Sequence, residues 1–382
     1  MASVEAPDRM RSRVPEGLSF WLDVVRGGAA MLVVLAHTRI HYFGGWAENS
    51  NGPFKIVLLP FYILTGMGHE AVVLFFVMSG YLVGRKFPLG VGPASVDMRV
   101  YIVDRLSRIW LVLIPAVILS VLVSYVLLDI YGYSYSGADE RCSPPVADIL
   151  ATIFFLNEGY LKTVCSNGPA WSIHSEVHYY LLWPLLIFAL SRSMPGRLRL
   201  GSAIVVGCVV AALLAFDQLD TKNTLVLAPI WIAGAFLDRV PAVRLPLWVL
   251  GGLLVTAMAA PSVAIWGRMW PLSDYVIGAL ALLFFAKARE AECIKILFKK
   301  FAAWLAGISF TLYLTHIIIV TAIRTVLEHG EGVRFPIVIL GPHAAGLYAF
   351  TVAAALIFAQ AFWWIFESRT GNLRRFLLRS KK

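Results

Sequence analysis

About ten mainly apolar stretches, each near the length of a membrane-crossing helix, follow one another along this chain. They run approximately Leu18–Tyr42, His69–Val83, Ile109–Tyr131, Ala170–Leu190, Leu200–Phe216, Thr224–Leu237, Leu245–Ala260, Leu272–Ala286, Ala303–Leu327 and Pro342–Phe366. A helix needs about 20 such residues to span a hydrocarbon core about 30 Å thick. Of the 382 residues, 59% are hydrophobic and only 15% charged, which excludes an ordinary soluble domain. The pattern predicts an all-α, polytopic transmembrane bundle of about ten helices, with one domain over 18–366 between a short N-terminal segment, 1–17, and a basic tail, 367–382.

The positive charges supply an orientation, because cytoplasmic loops carry the excess of Lys and Arg. With the N-terminus inside, that side receives Arg9, Arg11 and Arg13, then Arg85, Lys86, Arg99, Arg105 and Arg108, then Arg192, Arg197 and Arg199. Arg239 and Arg244, five cations from Lys287 to Lys300 and the cluster from Arg369 to Lys382 complete the set. Both termini are therefore expected in the cytoplasm. The net charge of +10 is read as a topology signal, and no base-stacking aromatics interleave with a basic groove to suggest nucleic acid. The first apolar run is too long for a signal peptide and is expected to stay as a helix. Cys142 and Cys165 fall on the outer side, where an oxidising compartment would allow them to pair; Cys208 and Cys293 read as packing residues. Two shorter apolar stretches, Phe54–Thr65, broken by Pro60, and Asp148–Leu156, are expected to cap the outer end.

Arg26 and His37 lie eleven residues apart on the first apolar stretch, which returns them to nearly one helical face about 16 Å apart along the axis. Ionisable groups inside a membrane are costly and point to function. Glu176, five residues after Trp171 in the fourth stretch, and His316 in the ninth share the outer-half layer with His37. Arg105 and Arg108, expected just before the third helix, are spaced to close on one anionic group. For each there is a plainer reading: hydrogen bonding between helices for the histidines, topology for the arginine pair, an ion pair with Asp23 for Arg26 and helix packing for Ser79 and Gly80.

Five motifs in order resemble those of the membrane acyltransferase 3 family. They are Leu22-Asp23-Val24-Val25-Arg26-Gly27 with His37, Phe75-Phe76-Val77-Met78-Ser79-Gly80-Tyr81-Leu82, Arg105-x-x-Arg108-Ile109, the run Trp171-Ser172-Ile173-x-x-Glu176-x-x-Tyr179-Tyr180-Leu181-Leu182-Trp183-Pro184, and Ser309-Phe310-Thr311-Leu312-Tyr313-Leu314-Thr315-His316. Two departures stand out. Val177 follows Glu176 where relatives often carry a second acid, and no soluble esterase-like domain is expected after the bundle.

The resemblance implies a multi-pass O-acyltransferase of a bacterial-type inner (cytoplasmic) membrane. It would move an acyl group, usually acetyl from acetyl-CoA, to a hydroxyl of a sugar, cell-surface glycan or glycolipid, with no metal and no permanently bound cofactor. A separate accessory protein is a further expected partner, beside membrane lipids. On this reading Arg105 and Arg108 hold the CoA phosphates with Arg26 assisting, and the 15–20 Å pantetheine arm brings the thioester to His37. His37 serves as general base, or as an acyl carrier, with Glu176 holding its tautomer; Ser79, Trp171, Tyr313 and His316 position substrate. The rival readings are a proton-coupled transporter or flippase, and a non-enzymatic scaffold.

Overall fold

A computed structural model describes residues 14–46, 55–87, 97–132, 146–157, 167–216, 224–263, 271–291, 296–330, 332–333, 335 and 341–379. The Cys142–Cys165 pairing, and the N-terminal segment up to Arg13, lie outside the described residues. Thirteen α-helices carry the described chain: α1 Glu16–Tyr42, α2 Lys55–Gly66, α3 Gly68–Gly84, α4 Met98–Tyr131, α5 Val146–Ile153, α6 Trp171–Leu190 and α7 Gly196–Phe216, then α8 Thr224–Ala235, α9 Leu247–Ala259, α10 Leu272–Ala288, α11 Ile296–Thr325, α12 Pro342–Ile365 and α13 Thr370–Arg379. Every predicted apolar stretch coincides with a helix. Among the described residues, six helical segments are long and apolar enough to cross a membrane: Glu16–Tyr42, Leu58–Gly84, Met98–Tyr131, Gly196–Ala215, Phe298–Gly330 and Pro342–Arg379. Large apolar side chains such as Trp248, Phe350, Ile357 and Trp364 stand exposed around the bundle, as a surface solvated by lipid rather than water requires.

Two boundaries differ from the sequence reading in a way that matters. Helix α4 starts at Met98, so Arg105 and Arg108 lie inside it on successive turns and not ahead of it. The polar first turns conceal the helix from a hydropathy window. Likewise the short stretch around Pro60 forms α2, a continuous helix that ends next to α3.

At the centre α1 runs along α11 and α3, and α3 lies against α8. The last contact is unusually close. A Cβ at Gly80 would collide with the Trp231 carbonyl oxygen, and one at Gly234 with that of Val77. Gly80 therefore serves helix packing, its plainer reading, and the adjoining Ser79 is left to face inward.

One end of the bundle is laced by charge. Asp104 takes ion pairs from Lys86 and Arg374, Asp238 from Arg85, and Glu16 from Lys299; Arg99 donates to the Leu377 carbonyl. The segments that the positive-charge count assigns to one side thus meet one another. At the opposite end His69 of α3 pairs with buried Asp274 of α10 at 2.9 Å.

Candidate active site

A cavity of about 940 Å³, counting the mouth where it opens to solvent, lies between α1, α3, α4, α6 and α11. All three sequence-predicted arginines line it. Arg26 comes from α1, and Arg105 and Arg108 come from α4. Only one carboxylate, Glu176, stands among the lining residues, so the cavity favours an anionic guest.

Each arginine is held differently. Arg26 pairs with Asp23 at 3.4 Å, as its plainer reading anticipated, yet it also faces the cavity. Arg105 donates to the Leu82 carbonyl at 3.3 Å and stacks over Tyr180, 5.5 Å from the ring centroid. Arg108 reaches Glu367 at 3.5 Å and lies over Phe310. Glu367 is itself buried and accepts a 2.6 Å hydrogen bond from Thr311 Oγ1. The Nε–H groups of Arg26 and Arg105 are buried without a hydrogen-bond partner among the described residues. A buried donor in that state costs stability unless a ligand accepts from it.

The cavity wall is a polar network on α3, α6 and α8. Glu176 Oε1 accepts from Ser79 Oγ at 2.7 Å and from the Tyr180 hydroxyl, and Trp231 Nε1 donates to Ser79 Oγ at 3.2 Å. Toward the opposite end Ser172 donates to the Tyr313 hydroxyl at 2.8 Å, and that hydroxyl donates to the Pro169 carbonyl at 2.7 Å. Trp171 opens α6, buried against Phe76 with ring centroids 6.4 Å apart. It supports the wall and does not line the cavity.

His37 lies elsewhere than expected relative to Glu176. Its Nδ1 is 2.9 Å from His316 Nε2, the two rings are within 15° of parallel, and His316 Nδ1 is 3.0 Å from the Leu312 carbonyl oxygen. A carbonyl only accepts, so the His316 proton sits on Nδ1 and, in the neutral ring, Nε2 is an acceptor. His37 Nδ1 must then donate, which puts the lone pair of neutral His37 on Nε2. The tautomer is thus held by His316, whereas Glu176 spends its hydrogen bonds on Ser79 and Tyr180. Eleven residues bring Arg26 and His37 to one face of α1, as predicted, but the arginine-lined cavity does not include His37 or His316 among its lining residues.

Three neighbours of the site were given no role in the sequence reading. Tyr180 was legible, since it stands four residues after Glu176 on the same helical face. Trp231 and Glu367 reach the site only through tertiary packing.

In comparison with known proteins, a family model described as an acyltransferase domain matches residues 19–364. No curated protein and no solved structure matches the chain.

Proposed function

The chain belongs to the acyltransferase 3 family, whose acyltransferase domain accounts for residues 19–364, and from that premise we propose an integral membrane O-acyltransferase that uses acyl-CoA. The donor is acetyl-CoA or a close homologue, and the acceptor is a hydroxyl of a sugar, cell-surface glycan or glycolipid. The observation that carries this reading is the convergence of Arg26, Arg105 and Arg108 on one cavity. Guanidinium forks match phosphate oxygens, and the buried Nε–H groups of Arg26 and Arg105 are donors in need of an anionic acceptor. The arginine end, with both termini, is cytoplasmic, where CoA thioesters are made; about ten helices cross an inner membrane. The pantetheine arm runs past Ser79 and Tyr180, which Glu176 holds in place.

In the reaction His37 Nε2 takes the proton of the acceptor hydroxyl as its oxygen attacks the thioester carbonyl. The tetrahedral intermediate collapses with cleavage of the carbon–sulfur bond, and the leaving thiolate takes the proton back from the imidazolium. The products are an ester and CoA. While His37 carries positive charge, its Nδ1–H donates to His316 Nε2 and spreads that charge.

Mass spectrometry of cell-envelope glycans and lipids, with and without a functional gene, tests the proposal. Loss of one ester of defined mass is expected, restored by the wild-type chain and not by His37→Ala. An unchanged profile overturns it, and proton-coupled transport that survives joint replacement of Arg105 and Arg108 by Ala indicates a carrier instead.

A further inference from the structure

The arginine-lined cavity stops one side-chain layer short of the histidine pair. Phe75 and Tyr313 line its histidine end, and their rings meet edge to face with centroids 6.0 Å apart and planes 65° apart. Beyond them the Tyr313 ring lies 6.2 Å from that of His316. Phe75 also packs against a small buried cluster that includes Ala30, Val34 and Leu312. Val34 and Leu312 lie about one helical turn before His37 and His316 respectively. The aromatic pair therefore occupies the step between the cavity and the His37–His316 pair.

The two members are fixed to different degrees. Tyr313 is anchored through its hydroxyl to Ser172 and to the Pro169 carbonyl. Phe75 carries no hydrogen-bonding group and is only half-buried, so apolar packing alone holds its ring. We propose that Phe75 and Tyr313 form an aromatic partition between the donor cavity and His37, and that Phe75 sets the length of acyl group that crosses it. The inference rests on the acyl-CoA reading above. A single ring turning aside leaves room for a two-carbon acyl group, whereas a longer chain must also displace the packing around Val34 and Leu312. Apolar pockets discriminate by about 10- to 200-fold per methylene, so one residue is enough to make the site selective.

The test needs no acceptor. Bromoacetyl-CoA and 2-bromohexanoyl-CoA both carry an α-bromo carbon, primary in the first and secondary in the second, from which an imidazole nitrogen displaces bromide; comparing the labelling ratio between variants cancels their intrinsic difference in reactivity. The full chain in lipid nanodiscs is treated with each, with and without excess CoA, and the His37 peptide is quantified by mass spectrometry. In the wild-type protein, CoA-protected labelling by bromoacetyl-CoA is expected. Phe75→Ala and the milder Phe75→Leu raise the hexanoyl-to-acetyl labelling ratio at least about tenfold, and Phe75→Trp lowers bromoacetyl labelling by a similar factor. A ratio unchanged across these variants, with CoA protection intact, overturns the partition while leaving the donor site standing. Absence of CoA-protected labelling in the wild-type protein overturns the donor reading and the partition with it.

Discussion

His37 and His316 share one hydrogen bond, Nδ1 to Nε2 at 2.9 Å, across the seam between α1 and α11. Since Nδ1 of His316 is engaged with the Leu312 carbonyl, this bond selects which nitrogen of His37 is basic. Replacing His37 by Ala is expected to lower the acyl-transfer rate by about 10²- to 10⁴-fold, the range for loss of a general base. His316→Ala falls less, roughly 10- to 100-fold, with the KM for acyl-CoA unchanged. His316→Gln, whose amide both donates and accepts, recovers part of the loss. Equal KM changes in both variants would show that His316 only shapes the donor site.

Arg105 and Arg108 face the cavity from neighbouring turns of α4. Each replacement by Ala removes a charge-assisted contact and is expected to raise the KM for acyl-CoA by roughly 10- to 100-fold, from about 1.5–3 kcal/mol per hydrogen bond to a charged group. Turnover at saturating donor changes little. Lys recovers only part, because an ammonium has no planar fork. Steady-state kinetics over a range of salt concentrations checks both statements.

Glu367 holds Arg108 and accepts from Thr311. Glu367→Ala leaves a buried hydroxyl and a guanidinium without this partner, a cost of about 1–3 kcal/mol, so the thermal midpoint falls and the donor KM rises several-fold. Glu367→Gln keeps an acceptor for Thr311 and restores the midpoint more fully than the KM. Differential scanning fluorimetry and donor titration on the same samples separate the two effects.

Gly80 presses against the Trp231 carbonyl, whereas Gly252 has open space where its Cβ would be. Gly80→Ala forces α3 and α8 apart, and overpacking of this kind costs about 1–3 kcal/mol. Gly252→Ala is expected to be neutral or slightly stabilising, since Ala is the better helix former. Detergent-dependent unfolding followed by tryptophan fluorescence distinguishes them, as Trp231 sits at the contact.

The helices were legible because a hydrocarbon solvent imposes an apolar composition, which every predicted stretch has, although among the described residues only six helical segments also have the length to cross. Their ends were less so: the first turns of α4 carry Arg99, Asp104, Arg105 and Arg108, which a hydropathy window discounts. Pairs that depend on helical spacing, such as Arg26 with His37 or Arg105 with Arg108, were placed from periodicity. The partner of His37 was not. Depth along the membrane placed Glu176 and His316 at similar heights, but only the packing of α1 against α11 decides which of them reaches the imidazole. Glu367, beyond the last apolar stretch, carries no local mark of its bond to Arg108.

The chain of hydrogen bonds that orients His37 ends on the carbonyl of Leu312, a group belonging to the main chain of α11. Every residue type supplies that oxygen, so no substitution at position 312 deletes the acceptor, and it neither ionises nor turns. The orientation of His37 is thus referred to the least mutable part of the molecule. Sequence drift around the site can change what surrounds the ring of His37, while its protonated nitrogen stays assigned as long as α11 remains a helix and residue 316 an imidazole.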